Sequence, residues 1–221
     1  MGLTGGFPID IILFGMIAAF LVLRLRGILG RRTGYEQPAQ PAGPRDMTAP
    51  PAQKQAAAPP VTGARKTLPD PSGALGQTLS RMTALDLSFE PAGFLDGAEK
   101  AFQIIVRAFA AGERGQLRPL LGEDTWHAFE AAIAEREKSA HTQISDIRAM
   151  HALSIEQAEL KGTLASVTVR IVSDQVNMTH GPSGQVLMGT DAVTEITDLW
   201  TFERDLKQAD PVWHLVAARS A

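Results

Sequence analysis

The chain has 221 residues, 44% of them hydrophobic, a formal net charge of −3 and no cysteine. A faintly acidic balance gives no global case for nucleic acid, whose phosphates need a basic surface to release counterions. The lack of cysteine excludes disulfide scaffolds, thiolate zinc sites and cysteine nucleophiles.

The first element is the apolar run Phe7 to Leu23, FPIDIILFGMIAAFLVL, in which Asp10 is the only charge. At about 1.5 Å per residue it spans roughly 25 Å, a little less than the ~30 Å hydrocarbon core. Arg24 and Arg26 close the gap by snorkelling, so the span continues through Leu25, Ile28 and Leu29. Nothing basic precedes residue 24, which argues against a cleaved signal peptide. Arg24, Arg26, Arg31 and Arg32 all follow the span, and positive flanks stay cytoplasmic. The sequence therefore predicts a single-pass anchor over 1–32, with its N-terminus outside and the rest of the chain in the cytoplasm. The same arginines form a membrane-interface cluster that attracts anionic lipid headgroups.

From Thr33 the composition turns to Pro, Ala, Gly and Gln, with PAQPAGP, APPAQ and AAAPP in succession. Such a stretch buries too little apolar area to offset its ordering entropy, so 33–84 is expected to be a disordered tether, partly stiffened by its Pro-Pro pairs. The folded domain is expected over 85–221.

Pro91 followed by Phe94, Leu95, Ala98, Phe102, Ile105, Val106 and Phe109 traces a helical stripe that ends at Gly112. Leu117, Leu120 and Leu121, around Pro119, predict a short connecting turn. Glu123-Asp124-Thr125 then starts a second amphipathic helix, with Trp126, Phe129 and Ile133, to about Ser139. Beyond Ala140 the period falls to two: Ala165, Val167, Val169 and Ile171 alternate with Leu164, Ser166, Thr168 and Arg170. Four strands are expected at about 144–160, 162–179, 186–206 and 211–218, with turns at Gly181-Pro-Ser-Gly184 and Gln208-Ala-Asp-Pro211. Helices followed by an antiparallel meander make an α+β domain, its helices packed on one face of a curved four-stranded antiparallel sheet whose long strands bulge.

Several motifs carry a family resemblance. LWTFERDL at 199–206 with DPVWHL at 210–215, FLDGAEKAF at 94–102 with AFAAG at 108–112, and the VTV strand at 167–169 resemble the Tim44-like family. That family comprises the C-terminal domain of the mitochondrial inner-membrane translocase subunit 44 and its alphaproteobacterial membrane-anchored relatives. LGRRTGYE at 29–36 is similar to the juxtamembrane segment of the bacterial members. The resemblance implies a cone-shaped α+β domain, nuclear transport factor 2-like or cystatin-like, with an apolar groove. It also implies a bacterial inner-membrane location. The mitochondrial protein's long chaperone-binding region has no counterpart here, which leaves a membrane-held protein-binding module as the implied role.

The groove candidates are Phe102, Phe109, Trp200 and Phe202, although aromatic residues on adjoining strands often serve plain core packing. An enzyme on such a fold needs a pocket base and an oxyanion donor. Asp146, Asp174, Asp191 and Asp198 are candidate bases, and His151 or His214 could stand at a pocket mouth. Asp198 shares a strand face with Ile196, Trp200 and Phe202, but Tyr35, the one tyrosine, lies in the linker, so the reading is non-enzymatic with no cofactor. His127, His141, His151, His180 and His214 show no close metal-ligand spacing, and no metal site is expected. The expected partners are a protein in or near the membrane and the membrane lipids. A small-molecule or lipid-binding module using the same groove is the alternative.

Overall fold

The computed structural model describes residues 63–221. The anchor with Arg24, Arg26, Arg31 and Arg32, Tyr35, and the tether as far as residue 62 lie outside the described residues. Among those described, no helix is long and apolar enough to cross a membrane.

Strand β1 (Arg65–Thr67) is followed by helices α1 (Ala74–Leu85), α2 (Pro91–Ala111), the single turn α3 (Arg114–Leu117) and α4 (Glu123–Lys138). A 3-10 turn at Arg118–Leu120 joins α3 to α4. Strands β2 (Thr142–Lys161), β3 (Leu164–His180), β4 (Val186–Asp205) and β5 (His214–Ser220) complete the chain. Helix α2 begins where its sequence predicts, because Pro91 occupies the first turn and its missing N–H costs nothing there. It stops at Gly112, whose φ of 74° lies in the left-handed region and lets its N–H close on Ala108 and Phe109.

The α2 stripe Phe94, Leu95, Ala98, Phe102, Ile105 and Ala108 is buried against the inner face of the sheet. On β3 that face presents Ala165, Val167, Val169 and Ile171, all fully buried, at alternate positions. Each large apolar side chain enclosed this way contributes about 1.5–3 kcal/mol before entropy is counted. The sheet order is β1-β2-β3-β4-β5. Strands β2 to β5 form the expected antiparallel meander, with register shifts in β2 at Ile147/Ala149, Met150/Ala152 and Ile155/Gln157.

Two expectations are corrected. The sheet is five-stranded and mixed, not four-stranded and antiparallel, since β1 pairs in parallel with β2 from Arg65↔Ala152 to Thr67↔Ser154. Ordered structure also starts inside the stretch read as tether. Asp70 accepts the Ser72 N–H at 2.9 Å and its hydroxyl at 2.7 Å, making a turn into α1, and α1 then buries Leu79 and Met82 in the core. The three β1 side chains are exposed, so backbone pairing holds the strand with no periodic pattern to betray it. Lys66 adds an ion pair to Asp96 and another to Glu99 at 2.8 Å, both on α2.

Candidate functional site

Helix α2 and the β4 strand bring Phe102 and Trp200 edge to face, with ring centroids 4.7 Å apart. Two turns on, Phe109 meets Phe129 of α4, also at 4.7 Å. Between these pairs and the sheet lies a groove of about 170 Å³, lined on its walls by Ile105 and Val106 as well as the four rings. Arg136 roofs the Phe109 end. Its guanidinium stands 5.2 Å over that ring and donates to the Phe109 carbonyl at 2.7 Å and the Ala110 carbonyl at 3.2 Å. Burial pulls its pKa below the ordinary arginine value. In return it gives the Phe109 carbonyl a second donor beside the Gly112 N–H and supplies one to the Ala110 carbonyl at the end of α2.

The floor is polar. Along the inner row of β3 the apolar series ends at Ile171 and continues as Ser173, Gln175 and Asn177. Gln175 donates to Ser173 Oγ at 2.9 Å and to Asp198 Oδ2 at 3.4 Å, and Asn177 donates to Gln175 Oε1 at 3.0 Å. Asp198, 6% exposed, sits on the inner face of β4 between its neighbours Ile171 and Ser220. It is neither at an edge nor at a bulge. An apolar slot with Asp198, Gln175, Asn177 and Arg219 in its lining suits an apolar side chain with a polar tip.

Three of the four groove candidates, Phe102, Phe109 and Trp200, therefore converge. Phe202 does not join them. It shares the inner face with Trp200 but stands two residues along β4, where it packs edge to face on Phe94 at 6.1 Å. Phe94 in turn meets Trp213 at 4.8 Å, and Phe202 is only 1% exposed, so these rings pack on one another, and they wall a second hollow of about 420 Å³ at this end. Arg204 lines it. Its Nη2 lies 2.8 Å from Asp86 Oδ2, and the two side chains are only 10% and 13% exposed. That oxygen receives no hydrogen bond of good geometry, so the pair is held by charge.

The other candidate acids lie elsewhere. Asp146 pairs with Arg148 at 3.2 Å, and Asp191 is exposed where β4 carries extra residues between Thr190 and Thr194. His214 lines a shallow depression with Glu203, Arg204, Asp205 and Asp210. Asp174 pairs with His151 at 2.9 Å, and one donor atom each from His151, Asp174 and Glu195 lie within 4.8 Å of one another. Spacing along the chain concealed this triad, because three separate strands supply it. Sequence reasoning also missed Gln175 and Asn177. The signal was the change from apolar to polar in the inner row of β3 after Ile171.

A family model described as Tim44-like domain matches residues 75–220. Among solved structures, the intermembrane-space region of the chloroplast protein ARC6 aligns with a TM-score of 0.44 at 14% identity, covering 60% of this chain and 97% of that one. No curated protein matches the chain.

Proposed function

The chain belongs to the Tim44-like domain family, and from that premise we propose that it is a membrane-anchored adaptor whose cytoplasmic domain holds a protein partner at the bacterial inner membrane. The 7–23 apolar run with its arginine flank supports the anchor. The observation that carries the adaptor reading is the groove between α2, α4 and the sheet, which Phe102, Phe109, Phe129 and Trp200 line with aromatic rings. Its volume of about 170 Å³ decides what it suits. Sites for whole small molecules run to about 300–1,000 Å³, whereas one or two anchor side chains of a partner fit a smaller slot. Asp198 and Arg219 both line the slot, so an anchor side chain entering it meets an acid and a base as well as the rings. No catalytic step is assigned to it, since the chain's one tyrosine, the usual oxyanion donor in such folds, falls in the tether.

The polar floor also favours a second reading, a small ligand with a polar tip in the same slot. Crosslinking and affinity capture of the full-length protein in its native membrane, beside Phe129→Glu and Leu87→Glu variants, separates the two. The adaptor reading expects one membrane-protein partner captured by the native protein and by Leu87→Glu, and lost with Phe129→Glu. A copurified small molecule with no protein partner would replace it by the ligand reading.

A further inference from the structure

We propose that His151, Asp174 and Glu195 form a binding site for one divalent transition-metal ion on the outer face of the sheet. Asp174 and Glu195 are direct cross-strand partners in the β3–β4 register. Both alternate with inward residues, Ser173 and Gln175 on one strand and Ile196 and Asp198 on the other, so their side chains leave the face opposite the helices. His151 is the extra residue at the Met150/Ala152 bulge of β2, and its Nε2 reaches Asp174 Oδ2 at 2.9 Å. A bulge re-aims a side chain, and here it turns an imidazole toward two facing carboxylates.

Like charges set directly opposite in a sheet repel, and among the described residues no lysine or arginine makes an ion pair with Asp174 or Glu195. The sequence contains no lysine or arginine between Arg170 and Arg204, which covers β3 from Ile171 onward and β4 as far as Glu203. Arg148, on the neighbouring strand, is occupied by Asp146 at 3.2 Å. His151 contributes one positive charge, and only when protonated. A divalent ion contributes two and takes the imidazole in its neutral form.

The donor set, one nitrogen and two carboxylate oxygens, is one that zinc and its first-row neighbours accept, with water completing the shell. Ligand bonds of about 2.0–2.2 Å put donors roughly 3.0–3.5 Å apart. The His151–Asp174 contact is already that close, and side-chain rotation brings in the remaining donors, all within 4.8 Å of one another. Among the described residues this is the one such cluster. In a chain without cysteine, an ion here would pin three strands together where β2 bulges and where the β3–β4 register shifts after Gln175.

The test is calorimetric titration of the detergent-solubilised, chelator-stripped full-length chain with zinc chloride. One ion is expected per chain, with affinity falling about tenfold or more in both His151→Ala and Glu195→Gln and unchanged in His127→Ala, an exposed histidine on α4. Circular dichroism confirms that the variants fold, as substitutions on a solvent face should allow. Zinc should also slow amide exchange around residues 149–152, 173–175 and 194–196 of the native chain, and not of Glu195→Gln. Absence of saturable binding, equal losses with His127→Ala, or full affinity in both cluster variants would overturn the proposal.

Discussion

The two ends of the space between α2 and the sheet are built from the same kinds of residue over different floors. At the Phe202 end, Phe89, Phe94, Trp213 and Phe202 interlock over an apolar inner row, the Asp86–Arg204 pair flanks them, and a hollow of about 420 Å³ lies beside them. At the Trp200 end, four rings stand over Gln175, Asn177 and Asp198, and the space between stays open. Aromatic content does not distinguish a site from a core. What differs is the row beneath, where apolar side chains complete the packing at one end and polar ones hold a floor at the other.

Truncation should separate the ends most sharply. Phe202→Ala is expected to cost about 3–5 kcal/mol in urea unfolding, the range for a buried aromatic, while Phe129→Ala should cost roughly 1–2 because its ring is only partly enclosed. Equal losses would mean that the groove is core after all. Gln175→Leu should cost about 1–3 kcal/mol, since Ser173 and Asp198 lose a donor inside the protein. A stabilised variant would show that the floor is not a connected polar network. Gly112→Ala, at the open end, is expected to cost about 1 kcal/mol from the left-handed backbone alone. The added Cβ meets only ordinary contacts, the nearest being Glu137 and Ile133 at 3.5 Å.

The Phe202 end should also respond to acid in its own way. The Ser88 hydroxyl and N–H, and then Arg204, hold the Asp86 carboxyl below the ordinary aspartate range. A group whose folded pKa is depressed stabilises the fold above its unfolded value, near 3.9, and that contribution fades as pH falls through the folded value. Thermal midpoints should therefore decline below about pH 4, and less steeply in Asp86→Asn. An unchanged slope would mean that other carboxylates dominate acid unfolding.

Much of this was legible because period and pattern agree over long segments. The α2 stripe from Phe94 to Phe109 and the alternation Ala165 to Ile171 each extend over several residues and tolerate one reading. Strand β1 was illegible, since three exposed residues joined by backbone bonds leave no pattern. Helix α1 did carry a signal, Leu75, Leu79 and Met82 at helical spacing, hidden by the Pro- and Gly-rich stretch before it. Phe202 was grouped with Trp200 because both share a strand face, and a face does not say where along it the packing closes. His151, Asp174 and Glu195 meet only through strand register, which pairwise spacing along a chain cannot supply.

A photo-crosslinking amino acid placed at position 129, and in a second chain at position 87, would test the groove most directly in the intact membrane. Phe129 faces the slot, whereas Leu87 is 88% exposed and remote from its lining. The adaptor reading predicts one discrete protein adduct from position 129 and none from position 87. Adducts of the same protein from both positions, or none from 129, would contradict a partner held in the groove.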